Sequence, residues 1–261
     1  MRFGKRFENP SVYAKYEYTL AKEYIIPKFR EIGISLDEKA VLDAGCGWGG
    51  CSAAFSKIGA QCTGVDISKQ HIIDAKKFSQ EKKAKAKFFK DDVCNLKAKG
   101  KFDIIILRDV LEYVNDTLKA LISLKSRMAD GGVLYVTFAP WYGPYGGHQH
   151  HPESIARFMP YFHLLPKFIF FGILKNKKGL MSKDKGFLEE IRRIRSNKLS
   201  VSSFERMLNK ADLKIFRRNL YLIRPVFKIR MGLPTISLGI LSGIPILNEP
   251  LTTGVEYFLK K

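Results

Sequence analysis

The chain has 261 residues, of which 46% are hydrophobic and 27% charged, a composition that is typical of a globular protein and excludes a disordered one. The formal net charge is +20, and residues 141–261 hold 21 Lys and Arg against 8 Asp and Glu. Such a field attracts nucleic acid, anionic membranes or acidic small molecules, although a general solubility bias explains a Lys-rich composition equally well.

The cysteines and the polar, basic N-terminus narrow the class of protein further. No CxxC spacing occurs among Cys46, Cys51, Cys62 and Cys94, which argues against a cysteine zinc site or an iron–sulfur cluster. We predict no metal site. Because no secretory leader is visible, we expect a cytoplasmic protein with buried, reduced cysteines.

A helix over residues 11–33 is predicted first, because apolar and aromatic side chains recur on one side of it. Short apolar strands then alternate with helices near residues 50–59, 69–83 and 116–128. The strands are predicted at residues 40–44, 62–66, 87–91, 102–107 and 132–138. This alternation predicts an α/β fold with a parallel sheet and helices on both faces.

The pattern breaks after Phe138, where a loop rich in Gly, Pro and His begins an insertion. It resumes with a helix from about residue 201, capped by Ser202 or Ser203. Two more strands follow, at residues 212–223 and 254–261. We predict an N-terminal helical segment at residues 1–38 and one domain made of residues 39–138 and 200–261. Two insertions are predicted, at residues 139–199 and 224–250.

The segment VLDAGCGWGG, residues 41–50, places glycines between a strand and a helix, where backbone can approach a ligand closely. Gly45, Gly47 and Gly50 match GxGxxG, and Asp66 ends the second strand, where a carboxylate can bind ribose hydroxyls. A nicotinamide dinucleotide would satisfy the same features. Asp43 distinguishes between a dinucleotide and a ligand with a sulfonium group, because a carboxylate there repels a pyrophosphate and favours a cationic sulfonium.

Four segments in order, VLDAGCGWG, GVDIS, DDV and FDIIILRDVLEYV, resemble the class I S-adenosylmethionine (SAM)-dependent methyltransferases of the small-molecule group with the E/DxGxGxG signature. The resemblance implies a Rossmann-like sheet of seven strands in the order 3-2-1-4-5-7-6, with the last strand antiparallel. It implies SAM as the cofactor and S-adenosylhomocysteine as the product. Asp66 would hold the ribose, and Asp92 would read the adenine amino group. The cofactor-binding residues assigned in this way are Asp43, Gly45, Cys46, Gly47, Trp48, Asp66, Ile67, Asp92, Val93 and Arg108.

The fourth of these segments departs from the family pattern VLEH, because Tyr113 stands where histidine is common. Any role of that histidine therefore does not carry over to this chain. Asp109 and Glu112 either line the cofactor side or cap the following helix, and the sequence leaves both interpretations open.

Methyl transfer to a hydroxyl requires a base beside the acceptor. His148 or His150, in the loop after the fifth strand, is the predicted catalytic base, and a purely structural role for these histidines stays open. Methylation of nucleic-acid bases is disfavoured. The fourth strand is followed by RDVL without an Asn/Asp-Pro-Pro-aromatic motif, and the chain contains no Pro-Cys pair.

Both insertions are expected at the cofactor edge of the sheet, as a basic lid with an apolar inner wall over the acceptor. Residues 231–248 carry no charge, but their prolines and glycines argue against a membrane span. We predict oxygen methylation of a small-molecule or lipid-like acceptor and peripheral contact with an anionic membrane, with a hydrophobic dimer surface as the competing interpretation. The alternative functions are RNA methylation and a non-catalytic SAM-binding scaffold.

Overall fold

A computed structural model describes residues 9–147, 159–175 and 185–261. Eight strands occur in these residues: β1 (Ala40–Ala44), β2 (Gln61–Asp66), β3 (Lys87–Lys90), β4 (Phe102–Arg108), β5 (Met128–Phe138), β6 (Lys214–Ile223), β7 (Ile236–Ser237) and β8 (Gly254–Lys260). They form one sheet in the order β3-β2-β1-β4-β5-β8-β6-β7. The first five are parallel, and β8 runs antiparallel to β5 and β6.

The helices begin with α1 (Pro10–Leu20), a π-helical turn (Ala21–Ile25) and α2 (Ile26–Glu31). Between the parallel strands lie α3 (Gly50–Ser56), α4 (Lys69–Glu81) and α5 (Thr117–Lys125). The remaining helices are α6 (Lys167–Lys175), α7 (Lys185–Asn197), α8 (Val201–Lys210), α9 (Pro225–Met231) and α10 (Pro245–Leu251).

The predicted fold class is confirmed, and the seven expected strands occupy the predicted order, including the antiparallel last strand. The count of seven needs one correction. The two-residue strand β7 adds an eighth member at the edge, paired with Tyr221 and Ile223 of β6. Its sequence gave no signal, because two residues in a segment rich in Pro and Gly are too few to show an alternating pattern.

Helices enclose an apolar core on each face of the sheet. On one face, Phe29 of α2 packs against Phe55 of α3 and Phe258 of β8, with ring centroids 6.0 and 5.2 Å apart. On the other face, Phe204 of α8 packs against Phe138 of β5 at 4.9 Å. Burying such rings on both sides of the parallel strands stabilises the three-layer arrangement.

Close packing fixes the N-terminal helix over the start of α3. A Cβ atom on Gly50 would lie 2.1 Å from the carbonyl oxygen of Ala14, so only glycine permits this approach. The third glycine of the GxGxxG pattern therefore serves contact between helices. The π-helical turn that follows α1 brings the Tyr24 hydroxyl to 2.9 Å from Glu256 Oε2 and 2.7 Å from the Tyr221 hydroxyl.

The N-terminus of α8 corrects another prediction, because Ser200 caps this helix instead of Ser202 or Ser203. The Ser203 amide donates to Ser200 Oγ at 3.1 Å, and Ser203 Oγ accepts from the Ser200 amide at 2.9 Å. The first-turn amides of Val201 and Ser202 donate to Glu249 in the second insertion. A distant carboxylate thus satisfies donors that the local sequence gave no means to assign.

Candidate functional site

The loop between β1 and α3 is a glycine-rich turn at the carboxyl ends of the parallel strands. Gly45, Gly47 and Gly49 have φ values of 75°, 52° and 80°, which L side chains rarely adopt. A Cβ atom at Gly45 would lie 2.3 Å from Val110, whereas one at Gly47 would lie 3.7 Å from Glu17 Oε1. The loop therefore offers backbone at the position where a nucleotide ligand binds in such folds.

Asp66 lies at the end of β2, directly beside this loop. The Gly47 amide donates to its Oδ2 at 3.0 Å, and the Ser68 amide donates to its Oδ1 at 2.8 Å. His71 Nδ1 lies 3.2 Å from the same Oδ1. Burial raises the pKa of Asp66, but these hydrogen bonds outweigh it and hold the pKa below its usual value. The carboxylate is therefore ionised and oriented, as ribose recognition requires.

Asp43 lies beneath the loop and is buried, with an exposed fraction of 3%. The Ser52 hydroxyl donates to its Oδ2 at 2.6 Å. Burial raises the pKa of this carboxyl, and the Ser52 hydrogen bond opposes that effect. Asp43 thus lies where an ionised carboxylate would add negative potential beneath the loop, and its predicted contact with the cofactor stays a prediction.

The residues assigned to the adenosine side lie around β2 and β3. Asp92 is exposed, and its Oδ1 accepts from the Cys94 amide at 2.9 Å, while Val93 is buried beneath it. Ile67 is 67% exposed. Asp92 and Ile67 therefore present an acceptor and exposed apolar surface near Asp66, whereas Val93 packs into the core. Their predicted contact with adenine stays a prediction.

Two further members of the predicted set line the glycine loop itself. Cys46 is buried, and burial raises the pKa of its thiol, so it contributes packing and not a nucleophile. Trp48 is half-buried between Tyr13 and His71, with ring centroids 4.6 and 4.7 Å away. These tilted ring contacts connect α1 and α4 to the loop.

Arg108 ends β4 and reaches back to the N-terminal helix. Its Nη2 donates to Glu17 Oε1, and both side chains are more than nine-tenths buried. Burial raises the pKa of Glu17 to about 7, against the opposing effect of Arg108. Glu17 could not be recognised from the sequence, because it is one acidic residue in a helix of mixed polarity and only the fold brings it to the loop.

Asp109 follows Arg108 with a left-handed backbone, φ 54°. Arg224, at the start of the second insertion, donates to both of its carboxylate oxygens, at 2.6 and 2.8 Å. The interpretation of Asp109 and Glu112 as helix caps is wrong, because Asp116 caps α5 by accepting from the Lys119 amide. Glu112 is buried instead, and burial raises its pKa.

The predicted bases His148 and His150 lie outside the described residues. The start of their loop is described, and it packs tightly, with Trp141 buried and a Cβ on Gly143 only 2.0 Å from the Thr252 carbonyl oxygen. The two insertions meet where the Tyr161 hydroxyl donates to the Pro250 carbonyl at 2.9 Å. The loop after β5 and the second insertion are therefore neighbours at the cofactor edge.

Beside Arg108 and Asp109, a cavity opens between the N-terminal helix and the sheet. Its polar wall includes the buried carboxylate of Glu256, which accepts from the hydroxyls of Tyr24, Tyr135 and Tyr221 and from the Asn219 side-chain amide.

Across residues 9–147, 159–175 and 185–261, no group of three His, Cys, Asp or Glu side chains is arranged to hold a metal ion.

The chain is similar in sequence to known proteins. The profile of a family described as "Methyltransferase domain" matches residues 16–216. Curated relatives named ubiquinone biosynthesis O-methyltransferase include one from Coxiella burnetii, 36% identical over 109 residues, and one from Xanthomonas campestris, 31% identical over 106 residues. The alignments cover 41% and 40% of this chain and 47% and 44% of those proteins, so the chain spans about half the length of the curated relatives it matches.

Solved structures share the architecture over nearly the whole chain. An S-adenosylmethionine-dependent methyltransferase from Clostridium acetobutylicum has a TM-score of 0.58 at 14% identity, covering 93% of this chain and 91% of that one. Magnesium protoporphyrin IX methyltransferase from Synechocystis, with bound S-adenosylhomocysteine, has a TM-score of 0.55 at 17% identity, covering 93% and 83%. At these identities the likeness shows the fold alone.

Proposed function

The chain belongs to the family of methyltransferase domains, and from this membership we propose that it transfers a methyl group from SAM to an oxygen atom of a small molecule. The observation that carries the proposal is the Asp66 carboxylate, held by the Gly47 amide at 3.0 Å beside the bare glycine turn. The names of the curated relatives support oxygen as the methylated atom.

The residues present fit SAM as the cofactor. The glycines of the loop carry no side chains, so its backbone can approach the methionine part closely. Asp66 is oriented for the ribose, and Asp92 offers an acceptor to the adenine amino group. SAM supplies a methyl group already activated on a sulfonium. The work left to this chain is to bind, orient the acceptor in line with the methyl carbon and exclude water.

The acceptor is proposed to be apolar or lipid-like. The second insertion exposes large aliphatic side chains, with Ile240 93% and Ile246 84% exposed, and Phe168 of the first insertion is 77% exposed. Exposed basic side chains occur on the adjoining helices, including Arg193 of α7 and Lys228 of α9. Exposed apolar and exposed cationic side chains on the same two insertions match the chemistry of an anionic bilayer surface. Among the described helices, none is long and apolar enough to cross a membrane.

Vesicle sedimentation tests the membrane proposal. Wild type is expected to sediment with vesicles of phosphatidylcholine and phosphatidylglycerol more than with phosphatidylcholine alone. The double variant I240S/I246S should lose about tenfold in apparent affinity, because two exposed aliphatic groups are removed. Ile73→Ser, at another exposed isoleucine on α4, is the matched control. Equal sedimentation of wild type and the double variant would contradict the membrane surface and leave the methyltransferase proposal standing.

The base is proposed to be His148 or His150. Each is replaced by alanine, and turnover is compared with SAM affinity. Loss of a general base lowers turnover by about a hundredfold or more while SAM affinity is retained. Unchanged turnover in both variants contradicts this assignment.

Transfer of radiolabel from SAM into fractionated cell extract tests the activity itself. Label in an organic-soluble fraction supports a small or lipid-like acceptor, and label in RNA favours the alternative function. If the chain binds SAM but labels no fraction, it acts as a SAM-binding scaffold and the proposed activity is wrong. Asp66→Ala is the control that must abolish labelling.

A further inference from the structure

Glu17 is a buried carboxylate that faces the glycine loop from the N-terminal helix. Its side chain is 7% exposed, and a Cβ atom on Gly47 would lie 3.7 and 3.8 Å from its two oxygens. Oε1 accepts from Arg108, whereas Oε2 accepts no hydrogen bond from a described residue. The Gly50 amide lies near enough to lower the pKa of the carboxyl. A buried carboxylate oxygen without a donor is costly unless a ligand satisfies it.

Packing places this carboxylate, so it is not a side chain that turned inward by accident. Glu17 Cβ would lie 2.6 Å from a Cβ added to Gly50, and the Ala14 carbonyl approaches the same glycine. Helix α1 therefore cannot shift away from the loop without losing its contact with α3. Arg108 in turn fixes the direction of the carboxylate from the end of β4.

The surroundings of Glu17 carry more negative than positive charge. Asp43 and Asp66 lie on the neighbouring strands, and Asp43 raises the pKa of Glu17 through its charge. Arg108 is the buried cation that pairs with Glu17, while Arg224 is bound to Asp109. A buried site with this imbalance favours a cationic ligand over a neutral or anionic one.

We propose that Glu17 accepts a hydrogen bond from the α-ammonium group of the methionine part of SAM, with Arg108 as the residue that positions it. The inference rests on the proposed function. SAM is a net cation, because its sulfonium and ammonium groups outnumber its single carboxylate. The two cationic groups would compensate the excess of carboxylates around the loop. The donor that Oε2 lacks in the protein alone would then come from the cofactor.

Two thioether probes isolate this contact. S-adenosylhomocysteine carries the ammonium group, whereas 5′-methylthioadenosine has the same adenosine and sulfur but no amino acid part. Calorimetry is expected to show that Glu17→Gln weakens S-adenosylhomocysteine by about ten- to a hundredfold, as loss of a charged hydrogen bond does, and methylthioadenosine by less than about twofold. Glu23→Gln, at an exposed glutamate of the same N-terminal helix, should change neither affinity.

The pH dependence gives an arm that uses wild-type protein only. A pKa of about 7 for Glu17 means that the free carboxyl takes up a proton below neutrality, and the ammonium requires the ionised form. The ratio of the two affinities, S-adenosylhomocysteine over methylthioadenosine, should therefore rise about tenfold from about pH 5.5 to about pH 7. The charged or titratable groups that face Glu17 are Arg108 of β4, Asp43 of β1, His71 of α4 and Tyr13 of α1.

His71 contacts Asp66 at 3.2 Å, and its charge also acts on Glu17. The Glu17→Gln variant keeps His71, so it shows any pH dependence that His71 alone contributes. In Glu17→Gln the ratio should be independent of pH over the same range. A ratio that stays flat in wild type, or equal binding of S-adenosylhomocysteine to Glu17→Gln and wild type, overturns the inference while the proposed function stands. If wild type binds neither probe, the proposed function fails and the inference fails with it.

Discussion

The cofactor edge presents polar, closely packed residues, whereas the second insertion presents exposed apolar residues. At the cofactor edge, Asp43, Asp66 and Glu17 each have a defined hydrogen-bond partner. A methyl group added at Gly45 or Gly50 would collide with a neighbour. Around Ile240 and Ile246 the side chains are exposed, and Gly243 has open space beside it.

The two surfaces suit two different kinds of ligand, one charged and polar and the other apolar. A charged, polar ligand such as SAM is recognised by fixed donors and acceptors, so its site tolerates little change. An apolar surface gains affinity in proportion to the area it buries, so single positions matter less. We therefore expect substitutions at the proposed methyl-donor site to have larger effects than substitutions on the proposed acceptor surface.

The largest expected effect is at Asp66. Replacement by alanine removes the acceptor of the Gly47 and Ser68 amides as well as the proposed ribose acceptor. We expect S-adenosylhomocysteine affinity to fall at least about a hundredfold, since two or more charged hydrogen bonds are lost. Asp74→Ala, at a surface residue of α4 whose carboxylate accepts from Gln70, is the control. Normal affinity of Asp66→Ala by calorimetry would remove the basis for the cofactor assignment.

Adding one methyl group at two glycines compares the regions directly. Gly50→Ala would place Cβ 2.1 Å from the Ala14 carbonyl, and relief of that overlap should cost about 2 kcal/mol of unfolding free energy. Gly243→Ala meets nothing within 4 Å and should change stability by less than about 0.5 kcal/mol. Urea unfolding measures both. Similar losses in the two variants would contradict the contrast in packing.

The smallest effect comes from trimming isoleucine to valine. Ile106 of β4 is fully buried, and its loss of one methylene should lower the unfolding free energy by about 1 kcal/mol. The same change at Ile240, which is 93% exposed, should stay within about 0.5 kcal/mol. Thermal or urea unfolding checks the pair. A loss at Ile240 as large as that at Ile106 would mean that its side chain is buried in solution, as a hydrophobic dimer surface would require.

Much of the fold could be predicted because its signals are local. Alternating apolar strands and helices gave the seven main strands to within a few residues, and β1 was predicted at its observed bounds, Ala40–Ala44. The glycine loop and Asp66 were recognisable because strand ends and turns constrain residue type at fixed spacing. The two-residue strand β7 was missed because it is too short to show an alternating pattern and depends on pairing with β6. The cap was assigned to Ser202 or Ser203 instead of Ser200 because three serines stand near this helix start and each can cap a helix.

The candidate site divides in the same way. The sequence alone predicted the glycine loop together with Asp43 in β1, Asp66 at the end of β2 and Asp92 after β3. These residues were enough to predict the family, because a nucleotide turn constrains residue types within about fifty residues of chain. Only the tertiary structure brought Glu17 to Arg108 and Arg224 to Asp109, which are 91 and 115 residues apart. Such pairs leave no periodic trace, because their geometry exists only after helices and insertions have packed onto the sheet edge.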